Sequence, residues 1–150
     1  IQLLRIDALL NDVISHARIH HPDLQINLDI RQELPTLQGD PRRLKQVFDN
    51  LVSNAAKYAP GKPLLIRIYK ESQGITIDVK DTGPGIPTKD LERVFERFYR
   101  SEAHNQDTRG SGLGLFICKK IIEAHQGQIN ATSIPGKGTT IHVFLPFNEM

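Results

Sequence analysis

The sequence predicts an α+β domain two layers deep, with helices covering one face of a mixed, mostly antiparallel sheet. Three observations carry that expectation. Apolar residues recur at helical spacing over 7–20, 41–58 and 113–125. Alternating runs recur over 26–30, 64–70, 74–81, 127–133 and 139–146, giving about five strands. Short polar turns join the later strands in pairs, which is hairpin connectivity rather than the long crossover a parallel pair needs. About three helices against about five strands make a two-layer sandwich.

The elements follow in order. DALLNDVISHARIH (7–20) places Leu9, Leu10, Val13, Ile14 and Ala17 on one helical face and ends at His21-Pro22. INLDI (26–30) alternates, and TLQGD (36–40) reads as a further short strand. Asp40-Pro41 opens the next helix, an acidic N-cap followed by proline in the first turn. Leu44, Val47, Phe48, Leu51, Val52 and Ala55 give that helix its apolar stripe, and Pro60-Gly61 turns the chain. LLIRIYK (64–70) and GITIDVKD (74–81) form a hairpin across Glu71-Ser72-Gln73. KDLERVFERF (89–98) reads as a short helix, and SEAHNQDTRGSG (101–112) as a polar loop. A helix over 113–125, the strand GQINATS, the turn PGKG and the strand TTIHVFLP complete the chain.

Composition narrows the function. A length of 150 residues suits one domain with a core of its own. A formal net charge of +2, with interspersed charges, argues against a nucleic-acid partner. The single cysteine, Cys118, can form no internal disulfide and reads as a buried, inert thiol. No signal peptide and no apolar run near 18 residues is present, so direct membrane insertion of this segment is not expected. The start at Ile1 suggests a piece of a longer, cytoplasmic chain, anchored in the inner or plasma membrane only if other parts supply the anchor.

Three groups of residues stand out. On the 41–58 helix, Asn50, Asn54 and Lys57 fall within roughly 60° of one another and border the apolar stripe. Asparagine is a poor helix former, so two of them one turn apart are either solvated side chains or a face for Mg²⁺ and phosphate. Asp81, at the end of a strand and followed by Gly83 and Gly85, is either a turn-former or a carboxylate that accepts from an exocyclic amine such as that of adenine. Gly110, Gly112 and Gly114 run into a helix. They are either an ordinary helix start or a close-approach site for an anion. Gly136-Lys137-Gly138-Thr139 reads by default as a hairpin turn. The six histidines make no metal-binding pattern, and His16, His20 and His21 read as surface positions.

The motifs N-L-V-S-N-A-A-K-Y (50–58), D-T-G-P-G-I-P (81–87), V-F-E-R-F-Y-R (94–100), G-S-G-L-G-L (110–115) and G-K-G-T-T (136–140) occur in one order. In that order they resemble the N, G1, F, G2 and G3 boxes of the ATP-binding catalytic domain of sensor histidine kinases. The domain has the Bergerat fold shared with gyrase-type, chaperone and mismatch-repair ATPases. The resemblance covers about residues 7–147 and leaves 1–6 as the end of a linker from a dimerisation and phosphoacceptor domain.

It implies ATP and Mg²⁺ as ligands. Asn54, with Asn50, would bind the metal, Lys57 would meet a phosphate, and Tyr58 would line the nucleotide site. Asp81 would read the adenine amine, with Gly83, Gly85 and Thr139 around it. Gly110, Gly112, Leu113, Gly114 and Leu115 would hold the phosphates, under a lid at 101–109 anchored by Phe95 and Phe98. Arg100 would stabilise the transferring γ-phosphate, with Lys57 and Asn50 beside it in catalysis.

Two departures matter. None of His16, His20, His21, His104, His125 or His142 sits in a phosphoacceptor box, so the acceptor histidine is expected on a separate dimerisation domain. Hydrolysing relatives carry glutamate where Asn50 stands, and an amide cannot serve as a general base. The implied reaction is therefore transfer to a histidine, and indirectly to a response regulator. The alternatives are an inactive nucleotide-binding or docking module and an ATP-hydrolysing enzyme.

Overall fold

The computed structural model describes residues 1–97 and 114–147. Within them lie β1 (Gln2–Leu4), α1 (Ile6–His20), β2 (Ile26–Ile30), β3 (Leu37–Gly39), α2 (Pro41–Tyr58), β4 (Leu64–Lys70) and β5 (Gly74–Lys80). A 3₁₀ turn (Thr88–Asp90), α3 (Gly114–Ala124), β6 (Gln128–Ile134) and β7 (Gly138–Pro146) follow. The main sheet has five strands in the order β2-β4-β5-β7-β6. Only β2 and β4 run parallel, because the intervening chain returns through β3 and α2. The expected two-layer α+β sandwich is the observed one.

One face of each strand builds the core. Ile66 and Ile68 of β4, Ile75 and Ile77 of β5 and Val143 of β7 are buried against Leu10 and Val13 of α1 and Val47, Phe48 and Leu51 of α2. The alternate residues point to the other face, where polar groups join strand to strand. His142 Nδ1 lies 2.7 Å from Asp78 Oδ1, and its Nε2 lies 2.8 Å from Thr132 Oγ1. A sheet with one apolar and one polar face needs a single covering layer of helices, which is what the alternation in the sequence encodes.

Local chemistry sets where α2 begins. Asp40 Oδ1 accepts from the backbone N–H groups of Arg42 at 3.1 Å and Arg43 at 3.3 Å, with Pro41 at the first helical position. The N–H of Asp40 is itself held, since it donates to His125 Nε2 at 3.0 Å. His125 Nδ1 lies 2.8 Å from the carbonyl of Ile121. A carbonyl only accepts and an amide N–H only donates, so the His125 ring is neutral here with its proton on Nδ1. The ring thus ties the end of α3 to the start of α2. His125→Ala is expected to lower stability by about 1–3 kcal/mol by leaving the part-buried Asp40 N–H without its acceptor. An unchanged urea midpoint would contradict this.

Two segments differ from the sequence expectation. Residues 89–97 are not an α-helix. Asp90, Leu91, Arg93 and Glu96 donate to the carbonyls of Pro87, Thr88, Asp90 and Arg93, each three residues back. Val94 is the one buried side chain between Thr88 and Arg97, too little apolar anchorage to enforce a full helical face. Residues 2–4, where no strand was expected, form β1, which pairs antiparallel with β3 and seats Leu4 in the core. Three residues are too few for alternation to be legible.

Candidate functional site

The α2 helix carries the first wall. Its apolar stripe faces the core, which leaves Asn50 and Asn54 half-buried along the stripe's edge and Lys57 exposed one turn further on. Asn50 is held from below. Its side-chain nitrogen lies 3.9 Å from Cys118 Sγ, and the Cys118 thiol in turn donates to the carbonyl of Val47 at 3.6 Å. With its N–H₂ engaged by sulfur, the amide presents its oxygen elsewhere, the end of the group that can bind a hard cation. Cys118 is buried, and burial pushes its thiol up to about 11, so at neutral pH it is a packing residue and not a nucleophile.

The second wall is the loop after β5. Asp81 Oδ1 accepts from the backbone N–H of Gly83 at 2.9 Å and of Thr139 at 3.3 Å. The Asp81 N–H donates to the Thr139 carbonyl at 2.9 Å, so the carboxylate is fixed against the start of β7. Glycine is demanded here by packing. A Cβ on Gly83 would come within 2.8 Å of Ala59 Cβ and 3.0 Å of the Tyr58 carbonyl. Gly85 has φ +79°, and a Cβ there would come within 2.8 Å of the Ile134 carbonyl. These close approaches seat the loop on the end of α2 on one side and on the β6–β7 turn on the other.

Gly83 therefore brings Asp81 beside half-buried Tyr58, and the Cys118 contact brings Asn50 beside α3. The two ends are joined by α2 itself. Tyr58 lies eight positions beyond Asn50, and at a rise of 1.5 Å per residue that is about 12 Å. Gly114 and Leu115 open α3, both half-buried. A Cβ on Gly114 would meet nothing within 4 Å among the described residues, so packing does not require glycine there. Thr139 is buried at 8% exposure. Arg100, Gly110, Gly112 and Leu113 lie outside the described residues, as do Phe98 and the stretch 101–109. Phe95 packs against the core.

Sequence reasoning missed Ser133. Its hydroxyl lies 2.8 Å from the Gly138 carbonyl, 2.7 Å from the Ile86 N–H and 3.2 Å from Thr139 Oγ1. Its only sequence signal was a polar residue opposite Thr139 in the last hairpin. The described residues contain no group of three or more His, Cys, Asp or Glu side chains able to hold a metal. A cation at this site would therefore depend on amide and phosphate oxygens. No described helix is long and apolar enough to cross a membrane.

The family described as histidine kinase-, DNA gyrase B-, and HSP90-like ATPase matches residues 39–149. The sensor histidine kinase WalK of Bacillus subtilis (strain 168) is 41% identical over 153 residues, covering 99% of this chain and 25% of WalK. The adaptive-response sensory kinase SasA of Synechococcus sp. (strain JA-3-3Ab) is 42% identical over 131 residues, covering 86% of this chain and 34% of SasA. The chain thus spans a minor part of the length of these curated relatives. Among solved structures, the mycobacterial sensor histidine kinase MprB superposes with a TM-score of 0.85 at 29% identity, covering 99% of both chains. Full-length ShkA in complex with AMPPNP superposes with a TM-score of 0.85 at 27% identity, covering 98% of this chain and 31% of ShkA.

Proposed function

The chain belongs to the histidine kinase-, DNA gyrase B- and HSP90-like ATPase family, and on that premise we propose that it transfers the γ-phosphate of Mg-ATP to a histidine on a separate dimerisation domain of its parent. The observation that carries the proposal is the joining, along α2, of a fixed carboxylate at one end to a pair of side-chain amides at the other. An extended nucleoside triphosphate has its base and its phosphates separated in the same way. The AMPPNP complex of ShkA supports adenine nucleotide as the ligand.

The residues fit that ligand. Asp81 offers acceptor capacity to the exocyclic amine of adenine, with Gly83 and Gly85 letting the backbone approach and Thr139 beside the carboxylate. Tyr58 borders the base. Asn54 and Asn50 present amide oxygens for Mg²⁺, which would neutralise phosphate charge, and Lys57 adds a positive charge one turn away. Gly114 and Leu115 open α3, whose first N–H groups and positive dipole end would face the phosphates, and Gly110, Gly112 and Leu113, which precede them in the sequence, are assigned to the same role. Arg100 is assigned to the charge developing on the γ-phosphoryl group.

In the transfer, an unprotonated nitrogen of the acceptor imidazole forms the N–P bond while the bridging β–γ oxygen departs with ADP. An imidazole nitrogen has a lone pair to attack with and needs no base to create it. Asn50 therefore suits this reaction, where hydrolysis of ATP by water would call for a carboxylate at that position. Positioning and charge stabilisation are the chain's contribution.

The acceptor domain is proposed to dock near α3 and residues 92–97. There Phe116 carries Arg97 at 4.9 Å and Lys120 at 5.4 Å from its ring centroid, beside a cleft shared with Phe95 and Glu92. Residues 1–6 would lead back towards that domain. A response regulator would receive the phosphoryl group in turn, on the cytoplasmic side where ATP is available.

Incubating the full-length parent with γ-labelled ATP tests the reading. Acid-labile, base-stable label on a histidine outside this chain is expected, and release of free phosphate with no labelled protein would contradict it. Asn54→Ala should weaken the Mg²⁺-dependent part of ATP-analogue binding about tenfold, the scale of one contact to a charged group. The unfolding midpoint should hold. An unchanged Mg²⁺ dependence in calorimetry would remove Asn54 from the site.

A further inference from the structure

The hydrogen bonds around Ser133 close on themselves in a way that reaches the base-reading wall. Ser133 lies directly across the β6–β7 ladder from Thr139. A hydroxyl has one proton to give and two lone pairs to accept with. The Gly138 carbonyl, 2.8 Å away, can only accept, so it takes the Ser133 proton. The Ile86 N–H, 2.7 Å away, can only donate, so it occupies one lone pair. The remaining contact, 3.2 Å to Thr139 Oγ1, falls on the second lone pair and is donated by Thr139. The Thr139 proton is thereby committed to Ser133, away from Asp81. What Thr139 can offer on its other side is lone pairs alone. Its own N–H sits on Asp81 Oδ1, so this acceptor stands beside a carboxylate, which is also an acceptor.

We propose that Ser133 is a positioning residue that determines base specificity, by orienting the Thr139 hydroxyl so that the wall beside Asp81 presents only acceptors to the ligand. The inference rests on the adenine-site reading above and deepens it. Such a wall takes a purine with an amine at position 6 and repels one with an oxo group there, because lone pairs would face lone pairs. The same hydroxyl holds the 81–87 loop in register through Ile86, next to the second tie from the Gly136 N–H to the Pro84 carbonyl at 2.7 Å. Without Ser133, Thr139 is free to turn its proton outward and donate to a 6-oxo group.

The test compares calorimetric affinities for ADP, inosine diphosphate and purine riboside diphosphate, the last having only hydrogen at position 6. In the unaltered protein the order should be ADP, then the 6-hydrogen compound, then the 6-oxo compound. Ser133→Ala should reduce the preference for ADP over inosine diphosphate by about tenfold, the scale of one hydrogen bond. Part of that change should come from tighter binding of the 6-oxo base. ADP binding with an unchanged preference in Ser133→Ala would overturn the role of Ser133 and leave the nucleotide site standing. Should the variant fail to fold, the unaltered protein decides alone, since equal binding of the 6-oxo and 6-hydrogen compounds would overturn the acceptor-only wall. Failure of the unaltered protein to bind ADP would overturn both the wall and the site.

Discussion

Asp81→Asn is expected to weaken ADP binding by about 1.5–3 kcal/mol, the scale of a hydrogen bond to a charged group, while leaving the fold intact. The reason lies in how the carboxylate is held. Oδ1 accepts from Gly83 and Thr139, and an asparagine keeps an oxygen for those two donors. The atom that replaces the other oxygen is then an amide nitrogen, which carries hydrogens. It would point a donor at the donating amine of adenine, so the contact turns from attractive to repulsive. A 6-oxo base should lose less than adenine does, or gain. Calorimetry on the variant reads both, and ADP affinity equal to that of the unaltered protein would remove Asp81 from base recognition.

Gly138→Ala should have the largest effect on the scaffold, about 3 kcal/mol from left-handed backbone strain combined with overpacking. Gly138 has φ +132°, and a Cβ there would run into the Asp81 carbonyl oxygen and come within 2.9 Å of Thr82 Cα. To make room, the 81–82 backbone must retreat from β7, and the Asp81 carboxylate moves with it. Stability and ADP affinity should therefore fall together. Gly136 is the control, since it too has a positive φ, +83°, but a Cβ there would meet nothing within 4 Å among the described residues. Gly136→Ala should cost about 1 kcal/mol of backbone strain and spare nucleotide affinity. Equal urea midpoints for the two variants would contradict the close approach between Gly138 and Asp81.

Much of the fold could be read from local chemistry because local chemistry decides it. Asp40-Pro41 starts α2 since the carboxylate satisfies two orphan N–H groups and proline needs none. The five strands of the main sheet follow from period-two alternation, and the burial of Ile66, Ile68, Ile75 and Ile77 answers it directly. The stretch 89–97 misled because its charged residues have helical propensity, while burial of Val94 alone anchors the stretch too lightly to select an α-helix over i→i−3 turns.

At the site, residue types were legible and partners were not. Asp81, Gly83 and Gly85 stand together in the sequence, so their cooperation is local. Thr139 reaches Asp81 across 58 positions, Cys118 reaches Asn50 across 68, and His125 reaches Asp40 across 85. Nothing in a single sequence marks such pairs. Ser133 is the clearest case, since a serine in an edge strand reads as an ordinary solvated residue until the turn and the 81–87 loop close around it.

The Asp81 wall and the Asn50–Asn54 face are proposed as the two ends of one Mg-ATP site. Calorimetric titration of the 150-residue chain with a non-hydrolysable ATP analogue, with and without Mg²⁺ and against GTP, tests it most directly. Binding that strengthens with Mg²⁺ and prefers adenine is the expected result. Binding indifferent to both the metal and the base, or no binding at all, would contradict it.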